Sequence, residues 1–406
     1  MLEFEAALAR LVGAVPTPSP AAAVQVPLSQ SLGRYLADSP PNPSDLPGTD
    51  NSAMDGWAVR SEDCQQPPFR LRQVGHVAAG AWFDGTLGRG ETVRVFTGSP
   101  LPYGANAVAM QEDAKPDPLA PDQVEFHEVV RPWESVRLRG EDLRIGAPLL
   151  PGGTRIGPAQ LALLAAAGLS SVSVHRPLRV AILPNGSELI TPGQTLPRGG
   201  VFDSNGPTLA ALVATTGAEV RAYAPPADQL EVLGAALRLA LAEADVVVTA
   251  GGASVGEHDL IRPAFASLGG QLDFWQIALK PGKPFFFGTL PGSTPGTAAK
   301  FLFGVPGNPV SAFVTTLLLV LPAVRKMLGA GDERTASHPG QLQEPLSNPE
   351  ARRHFVRVYC DGLGGVRSTG PQGSHRLGPL ALANGLVDLP PRTQWPAGTV
   401  VNVLRW

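Results

Sequence analysis

The feature that most constrains the fold is a regular alternation of apolar strands and amphipathic helices between residues 178 and 329. Strands are predicted at 178–183, 219–223, 245–249, 274–279, 285–287 and 301–305. Helices are predicted at 207–216, 228–243, 259–268 and 309–328. Because strands separated by helices of this length usually pair in parallel, we expect a mostly parallel sheet with helices on both faces.

The rest of the chain carries many turn residues, with 46 glycines and 42 prolines spread between apolar runs. Further helices are predicted at 2–13, near 29–36 and at 157–168. Further β runs are predicted at 56–59, 69–77, 92–96, 107–111, 124–130, 171–174, 354–360, 386–389 and 399–404. Turns at this density between short apolar runs predict several small β-rich units.

These patterns together predict a multidomain protein of class α/β plus β. An N-terminal linker domain comprises residues 1–26 and 145–177, and a β-rich domain (27–144) is inserted into it. A central α/β domain (178–329) and a small C-terminal β domain (330–406) follow.

Charge and cysteine content narrow the class of protein. A net charge of −3 gives no electrostatic reason to bind nucleic acid. Two distant cysteines, Cys64 and Cys360, exclude a disulfide scaffold and favour a reducing cytoplasm. The N-terminus lacks a signal-peptide pattern, and the apolar stretch 313–324 is too short to span a bilayer. We therefore expect a soluble cytoplasmic protein without membrane partners.

A glycine-rich loop between a strand and a helix is the strongest local feature. Gly251, Gly252 and Gly256, with Ser254 among them, directly follow the strand at 245–249. Glycines let backbone amides approach an anion, and the next helix N-terminus adds a positive dipole end. Loops at the carboxyl ends of parallel strands are also where open α/β sheets bind ligands. A tight turn with a helix cap is the alternative.

Carboxylates fall near the same edge of the predicted sheet. Glu188, Asp203, Asp228 and Asp259 lie just past predicted strands or in the loops that follow them. Several carboxylates beside a phosphate would repel it unless a hard cation such as Mg²⁺ bridges them. Each of these acids, taken singly, is also a common helix cap or turn residue.

Other polar turns could face the same cleft. Lys280 and Lys283 flank a Pro-Gly turn between two apolar strands, where they could contact a phosphate or another oxyanion, or simply be solvated. Pro306 and Pro309 open the long helix. In the first half, the turns that contain Asp55, Thr97, Arg137 and Asp142 are not diagnostic by themselves.

Taken in order, these segments resemble the MoeA family of molybdopterin molybdenumtransferases, whose animal relatives form the C-terminal part of gephyrin. The resemblance runs almost end to end. The matching segments are 51–60 (NSAMDGWAVR), 97–102 (TGSPLP), 139–143 (RGEDL), 184–189, 202–205 (FDSN), 251–256 (GGASVG), 280–284 (KPGKP), 306–311 (PGNPVS) and 372–375 (QGSH).

The resemblance implies a molybdopterin-binding-like α/β domain and an elongated homodimer with a cleft between the α/β domain of one subunit and the β domain of the other. Such enzymes insert molybdate into adenylylated molybdopterin and release AMP, assisted by Mg²⁺. The expected partners are a second copy of the chain, these two substrates and the molybdopterin adenylyltransferase.

The family's functional residues carry over by position. The implied catalytic residues are Asp55, Glu188, Asp228 and Asp259, and the last three are also the implied metal ligands. The implied substrate-binding residues are Thr97, Arg137, Asp142, Asp203, Asn205, Gly251, Gly252, Ser254, Gly256, Lys280, Lys283, Pro306, Pro309 and Ser374. Replacing Asp259 by Ala is expected to abolish AMP release and leave the dimer intact.

Three positions depart from the family pattern. Trp57 replaces a common tyrosine, which removes a hydroxyl but keeps an aromatic body. The run 185–187 (NGS) replaces Thr-Gly-Asp, which removes one carboxylate before Glu188. Gln276 stands where lysine is frequent, so Gln276→Lys is expected to tighten oxyanion binding.

Two other functions remain as alternatives. A molybdopterin adenylyltransferase has a related α/β domain with a similar glycine loop, but such enzymes consist essentially of that one domain. A scaffold that binds partner peptides, as gephyrin does, is the second alternative. The acids at Asp55, Glu188, Asp228 and Asp259 disfavour a purely structural role.

Overall fold

The central sheet of the computed structural model, which describes residues 1–252, 260–292 and 298–406, has six strands. Their spatial order is Glu219–Ala222, Arg179–Pro184, Val246–Ala250, Lys300–Val305, Phe286–Leu290 and Gln271–Trp275. The first four strands are parallel, and the last two add to the edge in antiparallel fashion. The expected mostly parallel sheet is confirmed.

Helices cover both faces of this sheet because its strands are apolar on both sides. In the strand Arg179–Pro184, Val180 and Ile182 join one core cluster, whereas Ala181 and Leu183 join another. Such alternation follows from the two-residue period of a strand. The covering helices are Asn205–Ala214, Leu230–Glu243, Ile261–Ser267 and the long helix Pro309–Met327.

The long helix Pro309–Met327 is the main core element of the chain. Its length and mean hydropathy of 1.6 would suffice to cross a membrane, but 83% of its apolar stretch is buried inside the protein. It is therefore a core helix. A π-helical turn, Thr316–Val320, comes just before Pro322, whose missing N–H cannot continue the regular bonding pattern.

The first part of the chain contains a small sheet, a two-stranded ribbon and two helices. The sheet comprises Ala107–Met110, Gly56–Val59, Glu91–Val95, Phe69–Val77, Gln123–Phe126 and Ala114–Pro116 in spatial order. The ribbon pairs Val24–Pro27 with Ser171–Val174, and the helices are Phe4–Ala14 and Pro158–Ala166. Strands Asn51–Ser52 and Val136–Arg137 form a short pair beside the sheet.

The helix predicted near residues 29–36 is wrong. Only a single 3₁₀ turn, Leu28–Gln30, forms there. Gly33 then adopts a φ of +80°, which no right-handed helix accommodates. The chain continues extended, with Tyr35 bridging to Arg155 and Leu36 to Val174.

The C-terminal sheet includes one short strand, Leu279–Lys280, that comes from the central part of the chain. Its spatial order is Leu279–Lys280, Arg353–Cys360, Gly365–Ser368, Ser337–Leu342, Val400–Arg405 and Gly385–Leu389. A separate ribbon pairs Leu346–Asn348 with Thr393–Trp395, and a short helix covers Leu377–Ala381. The parallel pairing of Leu279–Lys280 with Arg353 and His354 joins the α/β and C-terminal parts.

The predicted strand at 274–279 is broken in two. The strand Gln271–Trp275 ends before Gln276, which has a φ of +69°, and a short strand resumes at Leu279. The N-terminal residue Leu2 lies alongside the break, where its N–H donates to Gln276 O at 3.1 Å and its carbonyl accepts from Ala278 N at 2.7 Å. The predicted class, α/β plus β in several parts, is confirmed.

Candidate active site

Three parallel strands end side by side at one edge of the central sheet. Pro184, Ala250 and Val305 are register partners at the carboxyl ends of their strands. The loops that begin at Asn185, Gly251 and Pro306 therefore meet at a single edge, as expected for parallel strands. We call this region the sheet edge.

Close approach of two loops requires glycine at position 251. Gly251 has a φ of +97°, and a Cβ there would lie 2.5 Å from the carbonyl oxygen of Asn185. The side-chain amide of Asn185, oriented as its neighbours favour, donates to the Ala250 and Gly251 carbonyls at 3.0 Å each. Gly252 is also left-handed, with a φ of +64°. The loop thus starts as a tight glycine turn.

The remaining predicted residues of this loop lie outside the residues that the structure describes. Ser254, Gly256 and Asp259 belong to residues 253–259, so their assignments remain predictions. The helix predicted at 259–268 is described as Ile261–Ser267.

Asp203 and Asn205 face inward and hold the loops of the sheet edge. Asp203 is 6% exposed and accepts a hydrogen bond from Gly206 N at 2.9 Å, which caps the helix Asn205–Ala214. Asn205 is 7% exposed, and its amide donates to Gly307 O at 2.8 Å. Their predicted role in substrate binding is untested, and these contacts give both residues a supporting role.

Asp228 makes a reciprocal contact with Ser187, the residue before Glu188. The N–H of Ser187 donates to Asp228 Oδ2 at 2.9 Å, and the N–H of Asp228 donates to Ser187 Oγ at 2.9 Å. Glu188 follows directly and is exposed. The serine at position 187 therefore replaces a carboxylate with a hydroxyl that fixes the loop of Asp228.

A cavity of about 500 Å³ lies between the α/β domain and the C-terminal sheet. Its polar lining includes Lys280, Lys283, Asn308, Ser311, Arg352, Gln372 and Ser374. We call it the lysine cleft. It brings together the predicted basic turn, the start of the long helix and the segment of Ser374, whose carbonyl accepts from Val310 N at 3.1 Å.

The lysines of this cleft have different environments. Lys280 Nζ donates to Glu350 Oε1 at 2.6 Å, whereas Lys283 is exposed. The hydrogen bond from Lys280 is the main cause of a lowered pKa for Glu350. Pro306 is buried and Pro309 begins the long helix, so the two prolines restrict the backbone on either side of Gly307 and Asn308.

The candidate residues of the first half form a separate group. Asp55 Oδ1 accepts hydrogen bonds from Thr97 N at 2.8 Å and Thr97 Oγ1 at 2.9 Å. These bonds, and more weakly the charge of Arg94, lower the pKa of Asp55. Arg137 and Asp142 are exposed. Within the described part of the chain, no hydrogen bond or ion pair joins this group to the sheet edge.

Comparison with known proteins explains this combination of parts. Three family models match the chain. The model of the MoeA N-terminal region (domain I and II) matches residues 2–168, that of a probable molybdopterin binding domain matches residues 181–326, and that of the MoeA C-terminal region (domain IV) matches residues 339–406. Molybdopterin molybdenumtransferase 2 of Mycobacterium tuberculosis is 36% identical over 391 residues, covering 94% of each chain. The chain belongs to the MoeA family. The resemblance seen in the sequence is thereby confirmed.

Other members of the family are similar over most of their length. The molybdopterin molybdenumtransferase of a Nostoc species is 38% identical over 381 residues, covering 90% of this chain and 84% of that protein. A crystal structure of the molybdopterin biosynthesis MoeA protein from Pyrococcus horikoshii superimposes with a TM-score of 0.84 at 28% identity, covering 100% of both chains. The fold of the chain is thus that of a MoeA protein.

Sequence reasoning missed Arg357, which binds the loop that forms one wall of the lysine cleft. Its side chain is 1% exposed and donates to Gln372 Oε1 at 3.1 Å, Arg376 O at 2.9 Å and Pro371 O at 2.9 Å. These bonds hold the loop that carries Ser374. A signal was present, because an arginine inside the apolar run 354–360 is unusual without a structural partner.

Burial and nearby cations lower the pKa of His354, the register partner of Lys280. His354 is 5% exposed, and burial is the main cause that lowers its pKa to about 4. At neutral pH it is uncharged, so the charged groups of the cleft are Lys280, Lys283 and Arg352 against Glu350. The cleft is therefore suited to an anion.

The structure explains one departure from the family and weakens the argument from another. Trp57 is 5% exposed, and its Nε1 donates to Gln73 Oε1 at 2.9 Å, so it is a core residue of the β sheet. Gln276 is not among the residues that line the lysine cleft. The expectation that Gln276→Lys tightens oxyanion binding therefore lacks a contact in the described structure.

The described residues do not form a complete metal site. Outside 253–259 and 293–297, no three His, Cys, Asp or Glu side chains gather closely enough to hold an ion. Glu188 and Asp228 are the described members of the predicted set, and Asp259 is not described. Their oxygen donors fit a hard cation such as Mg²⁺.

Proposed function

We propose that this protein acts in molybdenum cofactor biosynthesis as a molybdopterin molybdenumtransferase. It inserts molybdate into adenylylated molybdopterin and releases AMP. The observation that carries the proposal is the lysine cleft, a cationic cavity in the same chain as a sheet edge with a glycine turn. Relatives named molybdopterin molybdenumtransferase match the chain over nearly its whole length.

The sheet edge is the proposed site for the phosphate-bearing end of the substrate. Gly251 and Gly252 expose backbone in left-handed turns, and the loops of Asn185 and Pro306 flank them. Such turns at strand ends accept phosphate oxygens without a side chain in the way. The proposed catalytic acids Glu188 and Asp228 lie in the loops that follow the strands Arg179–Pro184 and Glu219–Ala222, and Ser187 joins these two loops.

Mg²⁺ is part of the proposal. Glu188, Asp228 and Asp259 would hold the ion, which would offset phosphate charge as AMP leaves. The chain itself contributes orientation, because Ser187 fixes the loop of Asp228 through two hydrogen bonds. No covalent nucleophile is required, since positioning and electrostatic stabilisation supply the rate.

The lysine cleft is the proposed molybdate site. Molybdate is a small dianion. The exposed Lys283 can neutralise part of its charge, and Ser311 and Ser374 can donate hydrogen bonds. Arg352 adds positive charge to the cleft, but its Nη2 is paired with Glu350 Oε2 at 3.0 Å. Lys280 is already paired with Glu350, so its proposed contribution is to orient the turn as well as to add charge. The cleft is large enough for a tetrahedral oxyanion with its waters.

A homodimer completes the proposed site. Asp55, Thr97, Arg137 and Asp142 have no described bond to the sheet edge of their own chain, which supports their action on a second copy. We further propose the cytoplasm as the location, supported by two buried free thiols, and the molybdopterin adenylyltransferase as the protein that supplies the substrate.

The alternatives have less support. An adenylyltransferase of one domain would not need the N-terminal and C-terminal regions that match here at 2–168 and 339–406. A scaffold would not need the cationic cleft or the ordered Asp55–Thr97 contact.

The test is AMP release by the purified chain from adenylylated molybdopterin with Mg²⁺, measured with and without molybdate. Release that depends on molybdate supports the transferase. Synthesis of adenylylated molybdopterin from ATP without molybdate-dependent AMP release would establish the adenylyltransferase instead, and tight binding of the substrate without turnover would support the scaffold.

A further inference from the structure

We propose that Arg94 is a positioning residue that fixes the Asp55 carboxylate for the molybdate-insertion reaction. The inference rests on the proposed function for its catalytic meaning, and on the geometry of the β domain for the way in which the neighbours of Asp55 are held by Arg94. It concerns a residue outside the catalytic and substrate-binding sets considered above.

Arg94 is clamped by two aromatic rings and one amide. It is the register partner of Trp57 across the antiparallel pair of strands Gly56–Val59 and Glu91–Val95. Its guanidinium carbon lies 4.3 Å from the centre of the Trp57 ring and 5.1 Å from that of Phe96. Its Nη2 donates to Gln111 Oε1 at 2.7 Å. Cation–π contacts on two rings favour a single orientation of the guanidinium.

Each of these partners is tied to the Asp55 site. Gln111 donates its backbone N–H to the carbonyl of Asp55 at 3.0 Å. Phe96 directly precedes Thr97, whose N–H and hydroxyl bind Asp55 Oδ1. Trp57 lies in the strand Gly56–Val59, which begins directly after Asp55. Arg94 therefore connects the three segments that determine where the Asp55 carboxylate lies.

Charge adds to this geometric role. Arg94 Nη1 is buried and makes no hydrogen bond within the described part of the chain. Other charged residues lie nearby, because Glu112 follows Gln111 and Arg137 lies on a neighbouring strand. Among the described residues, however, Arg94 is the charged group that shifts the pKa of Asp55. After the two bonds from Thr97, its positive charge is the remaining cause that lowers the pKa of Asp55.

The position of the Arg94 guanidinium also explains why an aromatic ring is present at position 57. The residue contributes no group to a ligand, because its indole N–H is bonded to Gln73 inside the sheet. One face of its ring packs against the Arg94 guanidinium, and tryptophan gives the strongest cation–π contact of the aromatic residues. The departure from the family pattern at this position therefore preserves a function of the ring.

The test compares Arg94→Met, which removes the charge, with Arg94→Lys, which keeps it. Arg70→Met is the matched control, since Arg70 is an exposed arginine of the same sheet that pairs with Glu125. The Asp55 carboxyl is titrated by NMR with ¹³C-labelled aspartate, and its signal is assigned by its loss in Asp55→Asn. Gln111→Ala, which releases one arm of Arg94 and keeps the charge, serves if Arg94→Met does not fold.

We expect the Asp55 titration midpoint to move to higher pH in Arg94→Met, and the Thr97 amide signal to shift with it. AMP release should fall about tenfold or more in Arg94→Met and stay within about threefold in Arg94→Lys, because loss of position costs more than loss of one donor. The acid limb of the pH–rate profile should move in the same direction as the titration.

An unchanged Asp55 titration and Thr97 signal in Arg94→Met, or in Gln111→Ala if that variant is used, would overturn the inference. The same holds for equal activity losses in Arg94→Met and Arg70→Met. If the wild-type chain released no AMP, the proposed function would fail, while the NMR titration would still decide whether Arg94 positions Asp55.

Discussion

Removal of Arg357 should loosen the loop that forms one wall of the lysine cleft. In Arg357→Met the three side-chain hydrogen bonds to Gln372, Arg376 and Pro371 are lost while the aliphatic stem keeps its packing. Hydrogen bonds to a charged group contribute about 1.5–3 kcal/mol each. The gross loss is therefore roughly 4.5–9 kcal/mol for three bonds.

Part of this loss is offset, because folding of the Met variant no longer transfers a charged guanidinium from water into the protein interior. Burial lowers the pKa of Arg357, which reflects that cost. A buried charge costs several kcal/mol to desolvate. The net decrease in the free energy of unfolding is therefore expected to be about 3 kcal/mol.

Urea denaturation, monitored by circular dichroism, measures the free energy of unfolding. AMP release at varied molybdate concentration measures how well the cleft binds molybdate. We expect a higher half-saturating molybdate concentration in Arg357→Met, since the Ser374 segment loses its support. Arg367→Met is the matched control, because Arg367 lies exposed on the same sheet and stacks on Tyr359 at 5.3 Å. Stability and molybdate dependence equal to those of the control would refute this reasoning.

Two further predictions concern the sheet edge and the cleft. Ser187→Ala should lower AMP release about tenfold by freeing the loop of Asp228, whereas Ser187→Asp, which keeps an acceptor for Asp228 N, should retain most activity. His354 has a pKa of about 4 when folded against about 6.5 unfolded, so its contribution to stability is complete above about pH 6.5 and is lost as the pH falls toward 4. The loss should be roughly 3 kcal/mol and absent in His354→Phe.

These two predictions have separate measurements. AMP release decides the first, and equal activity in Ser187→Ala and wild type would contradict it. Urea denaturation between pH 4 and 7 decides the second. His127→Phe is its control, because His127 is half exposed. The same pH dependence in His354→Phe and wild type would show that His354 is not the titrating group.

The central sheet and the sheet edge could be predicted from the sequence because both follow from local patterns. Apolar strands that alternate with helices specify a parallel sheet, and parallel strands end at a common edge. The loops after Pro184, Ala250 and Val305 therefore meet as expected. Their glycines also signal the turns that the structure contains.

Contacts between distant segments could not be predicted in the same way. Glu350 lies 70 residues from Lys280, and its ion pair depends on how the C-terminal sheet docks. Asp203 and Asn205 could equally have faced a ligand, and only the fold shows that they bond to Gly206 and Gly307. The break at Gln276 likewise depends on Leu2, which comes from the other end of the chain.

The central claim is that the lysine cleft binds the molybdate that triggers AMP release. The most direct test is AMP release at varied molybdate in Lys283→Ala, with Lys115→Ala, an exposed lysine of the β domain, as the control. We expect Lys283→Ala to raise the half-saturating molybdate concentration about tenfold, which corresponds to about 1.4 kcal/mol. Lys115→Ala should match wild type. An identical molybdate dependence in all three proteins would contradict the claim.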